Sequence, residues 1–371
     1  MSNNINIEIN KEILEEHIRN RYIFRNKHPE KQLFIYNYTQ ATQYEAYWND
    51  YTEMCRGLIM NDLGEVVARP FKKFFNLSEH QPSEIPNETF EVYEKMDGSL
   101  GILYFDVNLD DNIIDNKGVT QPFMASRGSF NSEQSIKANE MLQQKYPHTF
   151  SKLNKNITYL FEIIYPENRI VVDYGKREEL VLLAMIDTKT GLELPLVDIG
   201  FPLVKKYDGI NDLETLKSLE NSTQEGFVVK FASGFRVKVK FAEYVRLHRI
   251  ITRVSNISIW ENMKNNANFD EILERVPDEF FAWVKNTRLE ILTKYEEIEK
   301  NAKQIFENAP IKKPSADYKL TKEDRKLASE QFLKFQHNRI LFAMLDGKKY
   351  DDYIWKCVRP SYEKPFLNNE E

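Results

Sequence analysis

The stretch Lys95-Met96-Asp97-Gly98-Ser99 lies between two apolar β-type runs, residues 89–94 and 100–105. A lysine is thereby presented at a strand-to-strand corner, followed by an acid and a flexible glycine. One reading is a surface hairpin, since Asp-Gly is a common turn dipeptide. The other is a seat for a nucleophilic lysine. An ammonium with the reference pKa of about 10.4 cannot attack an electrophile. Neighbouring positive charge or loss of solvating water favours the neutral amine that can. The second reading therefore needs cations supplied from elsewhere in the chain.

One source is Phe235-Arg236-Val237-Lys238-Val239-Lys240-Phe241, where apolar and basic residues alternate strictly. As a strand, it places Phe235, Val237, Val239 and Phe241 on the core face and Arg236, Lys238 and Lys240 together on the other. A solvent-facing edge strand protected by lysine carries the same pattern. Glu162, inside the apolar run 157–165, reads either as a buried acid paired with an arginine or as a site residue. Phe71-Lys72-Lys73-Phe74-Phe75 reads as a core strand with exposed lysines or as part of the same site.

Outward from these stretches, residues 11–21 carry Ile13, Leu14 and Ile18 at helical spacing. Strands are expected at 33–38, 56–60, 65–69, 157–165, 180–187 and 226–231. Ser132 caps a helix over 133–146. The acidic, Asn-rich excursion 106–118 reads as a solvated loop. Beyond about residue 247 the β pattern ends. One helical stripe runs over 276–308, a linker with Pro310 and Pro314 follows, and a further helix runs from Thr321 to a stop at Gly347. The expectation is an α+β chain: a mostly antiparallel β domain at 1–246 and an all-helical domain at 247–371.

The 371 residues suit about two domains. A net charge of −6 argues against a protein that wraps nucleic acid by bulk electrostatics, while leaving room for a local basic groove. Cys55 and Cys357 are far apart, which gives neither a disulfide framework nor a Cys/His metal cluster and points to a reducing, cytoplasmic compartment. The polar N-terminus and the lack of a long apolar run give no leader and no membrane partner. Cys55 reads as a small buried residue, and His80 and His248 as packing residues without metal-like partners.

Five segments follow one another in order: Arg56-Gly57, Lys95-Met96-Asp97-Gly98-Ser99, Leu160-Phe161-Glu162-Ile163-Ile164, Glu225-Gly226-Phe227-Val228-Val229-Lys230 and Val237-Lys238-Val239-Lys240. The set resembles the successive motifs of the covalent nucleotidyltransferases, the polynucleotide ligases and messenger-RNA capping enzymes. Within them it is most similar to the bacteriophage tRNA-repair ligases of the RNA ligase 1 family. The narrower match rests on Phe34-Ile35-Tyr36-Asn37-Tyr38, Cys55-Arg56-Gly57-Leu58-Ile59-Met60, the run from Ala68 to Leu77, Ser126-Arg127-Gly128-Ser129 and Pro166-Glu167-Asn168-Arg169-Ile170-Val171.

The resemblance implies an ATP-grasp-like nucleotidyltransferase domain followed by a helical domain that selects RNA. Lys95 would carry AMP, with Lys238 and Lys240 on the α-phosphate. Tyr36, Arg56, Lys73, Glu162 and Arg127 would belong to the nucleotide pocket, although the family pattern prefers lysine where Arg127 stands. Glu225 would hold the catalytic metal through water, Tyr244 falls on a position tied to activity, and Asp270 matches a second metal position by offset. The implied cofactors are ATP and Mg²⁺ or Mn²⁺. The implied partners are RNA ends, typically a nicked tRNA anticodon loop in a phage-infected bacterium, and a separate end-healing kinase-phosphatase. A DNA ligase, a capping enzyme or a non-catalytic RNA-end-binding protein are the alternatives; the helical C-terminal pattern speaks against the first two, where an OB-fold would show several short strands.

Overall fold

Three sheets carry the first of the two units into which the chain divides in the computed structural model, Met1–Ile251 and Thr252–Glu371. The structure describes residues 9–105, 121–219, 224–242, 244–245, 254–273, 276, 280–313 and 318–361. The stretch 106–118 and His248 lie outside the described residues.

In chain order the first strands are β1 (Ile23–Lys27), β2 (Leu33–Tyr38), β3 (Arg56–Asn61), β4 (Val66–Ala68), β5 (Phe75–Asn76), β6 (Phe90–Lys95) and β7 (Ser99–Phe105). They are followed by β8 (Pro122–Ser126), β9 (Ile157–Ile164), β10 (Glu179–Asp187), β11 (Glu193–Leu194), β12 (Lys206–Tyr207), β13 (Gly226–Phe231) and β14 (Arg236–Lys240). The sheets run β1-β2-β3-β4, β11-β10-β9-β7-β8 and β12-β6-β13-β14-β5. Their ladders are antiparallel apart from the β14·β5 pair.

The corner at Lys95 is not a hairpin. β6 pairs with β12 and β13, whereas β7 pairs with β8 and β9, so residues 96–98 carry the chain from one sheet to another. The crossing is possible because Gly98 presses against β9: a Cβ there would lie 2.7 Å from the Ile163 carbonyl oxygen and 2.8 Å from Ile164 Cδ1. Asp97 is buried at the crossing. Its carboxylate accepts the backbone N–H groups of Val171 (2.8 Å) and Val172 (2.7 Å) and the hydroxyl of Tyr244 (2.7 Å). A buried anion needs such donors, and here they tie two remote segments to the crossing.

The register of the third sheet produces a grid of side chains on its cleft face. Gly226 of β13 lies opposite Lys95 of β6 and Lys240 of β14, Val228 opposite Tyr93 and Lys238, and Lys230 opposite Glu91 and Arg236. The other face of β14 enters the core through Val237 and Val239, with Phe241 just beyond, while Phe235 is half-buried. Gly226 has φ +147°, and a Cβ would stand 2.0 Å from the Val239 carbonyl oxygen, so only glycine fits between the two lysines.

Helices α1 (Lys11–Arg19), α2 (Gln40–Glu45), α3 (Asp50–Met54), α4 (Glu133–Lys145) and α5 (Leu213–Ser218) decorate this unit. Ser132 caps α4 by accepting the Ser135 N–H, and Ala138, Met141 and Leu142 join the core beneath the second sheet. In the second unit the described regular elements are helical: α6 (Asn256–Lys264), α7 (Asp270–Leu273), α8 (Phe281–Asn308), α9 (Lys322–Phe332), α10 (Asn338–Leu345) and α11 (Asp351–Cys357). The single helix expected from Thr321 to Gly347 is broken between α9 and α10. Fully buried Phe332 sits at the break, 6.0 Å from Phe306 and 5.5 Å from Phe342 between ring centroids, packing that a straight helix would not give. Among the described residues no helix is long and apolar enough to cross a membrane.

Because Gly98 leaves no room for a methyl group beside β9, Gly98→Ala is expected to destabilise the first unit by about 2–4 kcal/mol. Urea denaturation followed by far-UV circular dichroism measures it; a change below about 0.5 kcal/mol would contradict the close approach.

Candidate active site

Between the second and third sheets lies a cleft of about 510 Å³. Lys95 ends β6 at its wall, and the Lys95 Nζ donates to Glu225 Oε2 at 2.6 Å. Lys240 Nζ stands 3.4 Å from the other oxygen, Oε1. Glu225 is only 3% exposed, so one buried carboxylate holds two ammonium groups on either side of Gly226. At contact distance such charges interact far more strongly than in bulk water.

Glu162 faces this cluster from β9. Its Oε1 accepts the Gly98 N–H at 2.9 Å. Burial pushes the Glu162 carboxyl up to about 7; Lys95 opposes this, while the negative charge of Glu225 adds to it. Ser99, on the same crossing, donates to Asn168 Oδ1 at 3.0 Å, and Asn168 returns a bond to the Ile163 carbonyl at 2.9 Å.

The three cations of β14 have different surroundings. Lys240 lies 5.7 Å from the Tyr244 ring centroid, beside Glu225. Lys238 faces the cleft with its Nζ 5.8 Å from the Phe74 ring. Arg236 is ion-paired with Glu193 and stacks 4.7 Å over Phe71. Arg56 and Arg127 also line the cleft; Arg127 donates to the Tyr38 hydroxyl at 3.3 Å and Arg56 lies 5.8 Å from the Phe74 ring.

Other residues singled out from the sequence stand back from the cleft lining. Lys73 is buried, its Nζ 5.5, 5.2 and 5.4 Å from the ring centroids of Tyr38, Trp48 and Phe75. It therefore borders the cleft through Tyr38, which bonds Arg127. Of the segment 71–75 only Phe75 enters a strand, so the core-strand reading with exposed lysines does not describe Lys73. Tyr36 packs with Leu14, Cys55 and Leu58, its phenol pushed up by burial against the pull of Arg25. Tyr244 reaches the site through Asp97 and Lys240. Asp270 belongs to the second unit, exposed at the start of α7, where its N–H meets Asn268 Oδ1 at 3.1 Å. Cys55 is fully buried and its thiol is pushed far up by that burial, the behaviour of an inert packing residue. His80 packs edge-on to Phe75 and Phe235.

The roles of two residues of this neighbourhood rest on contacts that no local pattern shows. Asp97 was visible as the acid after the lysine, but its role as a clamp depends on Val171, Val172 and Tyr244, remote in the chain. Glu193 lies in a two-residue strand too short to give a pattern.

A family model described as RNA ligase matches residues 54–244, more than half of the chain and all of the cleft-lining segments described above. The chain belongs to the RNA ligase family. It is 32% identical to a putative RNA ligase of Thermovibrio ammonificans over 249 residues, 62% of each chain. It is 23% identical to an RNA ligase of Rhodothermus phage RM378, over 85% of each chain. To a putative bifunctional polynucleotide kinase/RNA ligase of Autographa californica nuclear polyhedrosis virus it is 26% identical, over 66% of this chain and 39% of that one. The match thus spans about three fifths of the Thermovibrio relative and two fifths of the viral one. Among solved structures, an archaeal ATP-dependent RNA ligase is similar with a TM-score of 0.46 and 17% identity, covering 88% of this chain and 86% of that one. A Naegleria gruberi RNA ligase with PPi gives a TM-score of 0.39 and 16% identity, over 50% and 61%.

Two expectations follow from the geometry. Tyr244→Phe removes one donor from buried Asp97 and should cost about 1–2 kcal/mol in urea denaturation, with Val171 and Val172 still bonded; no loss would show that the hydroxyl bond is idle. For Glu162, the native carboxyl keeps its proton up to about pH 7, whereas the unfolded chain releases it near 4.5. Between those values the native state binds more protons, so its contribution is fully present below about pH 4.5 and is lost as pH rises through 7. Relative to Glu162→Gln, the wild type should lose about 1–3 kcal/mol from pH 5 to pH 8. Paired denaturation curves at the two pH values measure the difference, and a pH-independent gap would overturn it.

Proposed function

We propose that this chain is an ATP-dependent RNA ligase that joins a 3′-hydroxyl to a 5′-phosphate by way of AMP carried on Lys95. The observation that carries the reading is the Lys95 Nζ at the cleft wall, held by buried Glu225 in a cluster with Lys240. Family membership adds the substrate class.

In the first step the Lys95 Nζ, having lost a proton, forms a bond to the α-phosphorus of ATP as the bond to pyrophosphate breaks. The proton passes to water as the amine leaves its bond to Glu225 Oε2, 2.6 Å away. Lys240 and Lys238 offset the charge on the α-phosphate and the leaving group. Arg56 and Arg127, in the cleft lining, suit the outer phosphates. Glu162 suits the ribose, since a carboxyl near its midpoint at neutral pH can donate or accept. In the second step AMP passes to an RNA 5′-phosphate. In the third an RNA 3′-hydroxyl displaces AMP. Each is an in-line displacement at phosphorus, so one cationic cleft can serve all three.

Glu225 would be the residue to hold Mg²⁺ or Mn²⁺, through water. Among the described residues no group of three or more His, Cys, Asp or Glu side chains gathers in a metal-binding arrangement. A single carboxylate would suit a hard ion that keeps most of its water. Such an ion supplies positive charge at the phosphates when bound. Asp270 is proposed as a second position. The helical unit is proposed to select the RNA, with nicked tRNA as natural substrate and a kinase-phosphatase preparing its ends inside the cell.

The test is incubation with α-labelled ATP and Mg²⁺ without RNA. Label should attach to the wild-type protein and not to Lys95→Ala, while Glu225→Ala should label at least about a hundredfold more slowly. Label retained in Lys95→Ala, or absent from the wild type, would overturn the mechanism. Sealing of a nicked tRNA stem-loop, compared with 5′-phosphorylated single-stranded RNA, then tests the substrate.

A further inference from the structure

The cleft has a polarity that its cations alone do not explain. On the second sheet, β8 and the residues after it bring Ser126 and Arg127 to one side, while β10 brings Leu183 to the other. Leu183, Val204 and Val228 make that second side apolar, with the Tyr93 ring beside them. If the phosphates lie at the cationic side, a flat base is left facing the apolar side.

The same lining also carries a cluster of charges. Glu193 of β11 takes an ion pair from Arg236 and a second from Lys230 at 2.9 Å. Lys230 also stands 3.9 Å from Glu91, which accepts the Tyr93 hydroxyl at 2.8 Å and pairs with Lys206 at 2.7 Å. The pair at the centre is largely withdrawn from water, with the Arg236 side chain 14% and the Glu193 side chain 19% exposed. Both line the cleft. Glu193 belongs to the second sheet, whereas Arg236 and Lys230 belong to the third.

The two cleft walls are therefore joined by charge four residues along β6 and β14 from the row of Lys95 and Lys240, about 13 Å away at strand spacing. We infer that the Glu193–Arg236–Lys230 clasp is a specificity-determining element that fixes the width and depth of the base slot. Glu193 is a positioning residue. A purine gains full contact on both faces only when the walls stand about 7 Å apart, twice a van der Waals separation. Partners drawn from opposite walls hold that spacing before ATP arrives, which lowers the cost of ordering the slot on binding. The Phe71 ring under Arg236 keeps the guanidinium aimed at Glu193.

The inference rests on the ligase reading, and the experiment separates the two. Self-adenylylation of the full chain is followed in single turnover over a range of ATP and GTP concentrations, for the wild type, Glu193→Gln, Arg236→Gln and the double variant. The expected result for Glu193→Gln is an apparent KM for ATP raised about tenfold, with the rate at saturation lowered less than about twofold. The preference for ATP over GTP should narrow by at least about threefold. Because the two residues act as one unit, the double variant should match the single ones instead of multiplying their effects. A wild type that takes no label fails the ligase reading itself. A labelled wild type with KM and base preference unchanged in Glu193→Gln overturns the clasp alone, as does a loss confined to melting temperature. Should Glu193→Gln not fold, Arg236→Lys keeps the charge and loses the planar fork; a raised KM supports the clasp, and an unchanged one overturns it.

Discussion

A carboxylate buried between two ammonium groups organises the first unit. Glu225 cannot be withdrawn from water as a lone anion without a large cost, and neither lysine can face the other across a glycine without an anion between them. Each of the three makes the others tenable. The arrangement fixes the register of β6, β13 and β14, because a slip of one residue would send every cleft-facing side chain to the core. It also demands the glycine: with φ +147° and no space for Cβ, Gly226 is the one residue that lets the carboxylate just before it reach both lysines.

The crossing at Asp97 and Gly98 solves a different problem. A lysine at the end of a strand is only as well placed as the chain that follows it. Asp97 anchors that chain to the backbone at Val171 and Val172 and to Tyr244, and Gly98 seats it against β9 and donates to Glu162. The lysine, the carboxylate facing it and the tyrosine under Lys240 are thereby referred to one buried point. Supporting contacts of this kind let a reactive side chain hold its geometry without help from flexible loops.

Strictly alternating segments were the most legible part of the sequence. β14 announced both faces from seven residues because period two is a property of the strand itself. The β9, β10 and β13 runs were readable for their length and branching, and Ser132 for its capping chemistry. The crossing was not readable, since local sequence gives the same Asp-Gly whether the flanking strands pair with each other or with partners in different sheets. The break between α9 and α10 was hidden for a related reason: the apolar stripe continues through it, and only the burial of Phe332 between Phe306 and Phe342 decides that the helix must turn. In the site, alternation showed Lys238 and Lys240 facing the same way as Arg236, but not that the arginine is claimed by Glu193. Lys73 was visible as a cation in an aromatic run; the rings of Tyr38 and Trp48 that enclose it come from residues 35 and 25 positions upstream.

The net charge of −6 and the cationic cleft are compatible because a field acts where water is scarce. Most acids among the described residues are not buried, and on a wetted surface their effect falls off within a Debye length. The acids around the cleft include Glu225, held by two lysines, Glu193, held by an arginine and a lysine, and Glu162, its carboxyl pushed up to about 7 by burial. Pairing those carboxylates in place lowers the negative charge at the cleft, whose lining also carries Arg56, Arg127 and Lys238. An anionic ligand therefore meets a local potential set by a handful of buried pairings, and the sign of the whole chain has little bearing on what the cleft can hold.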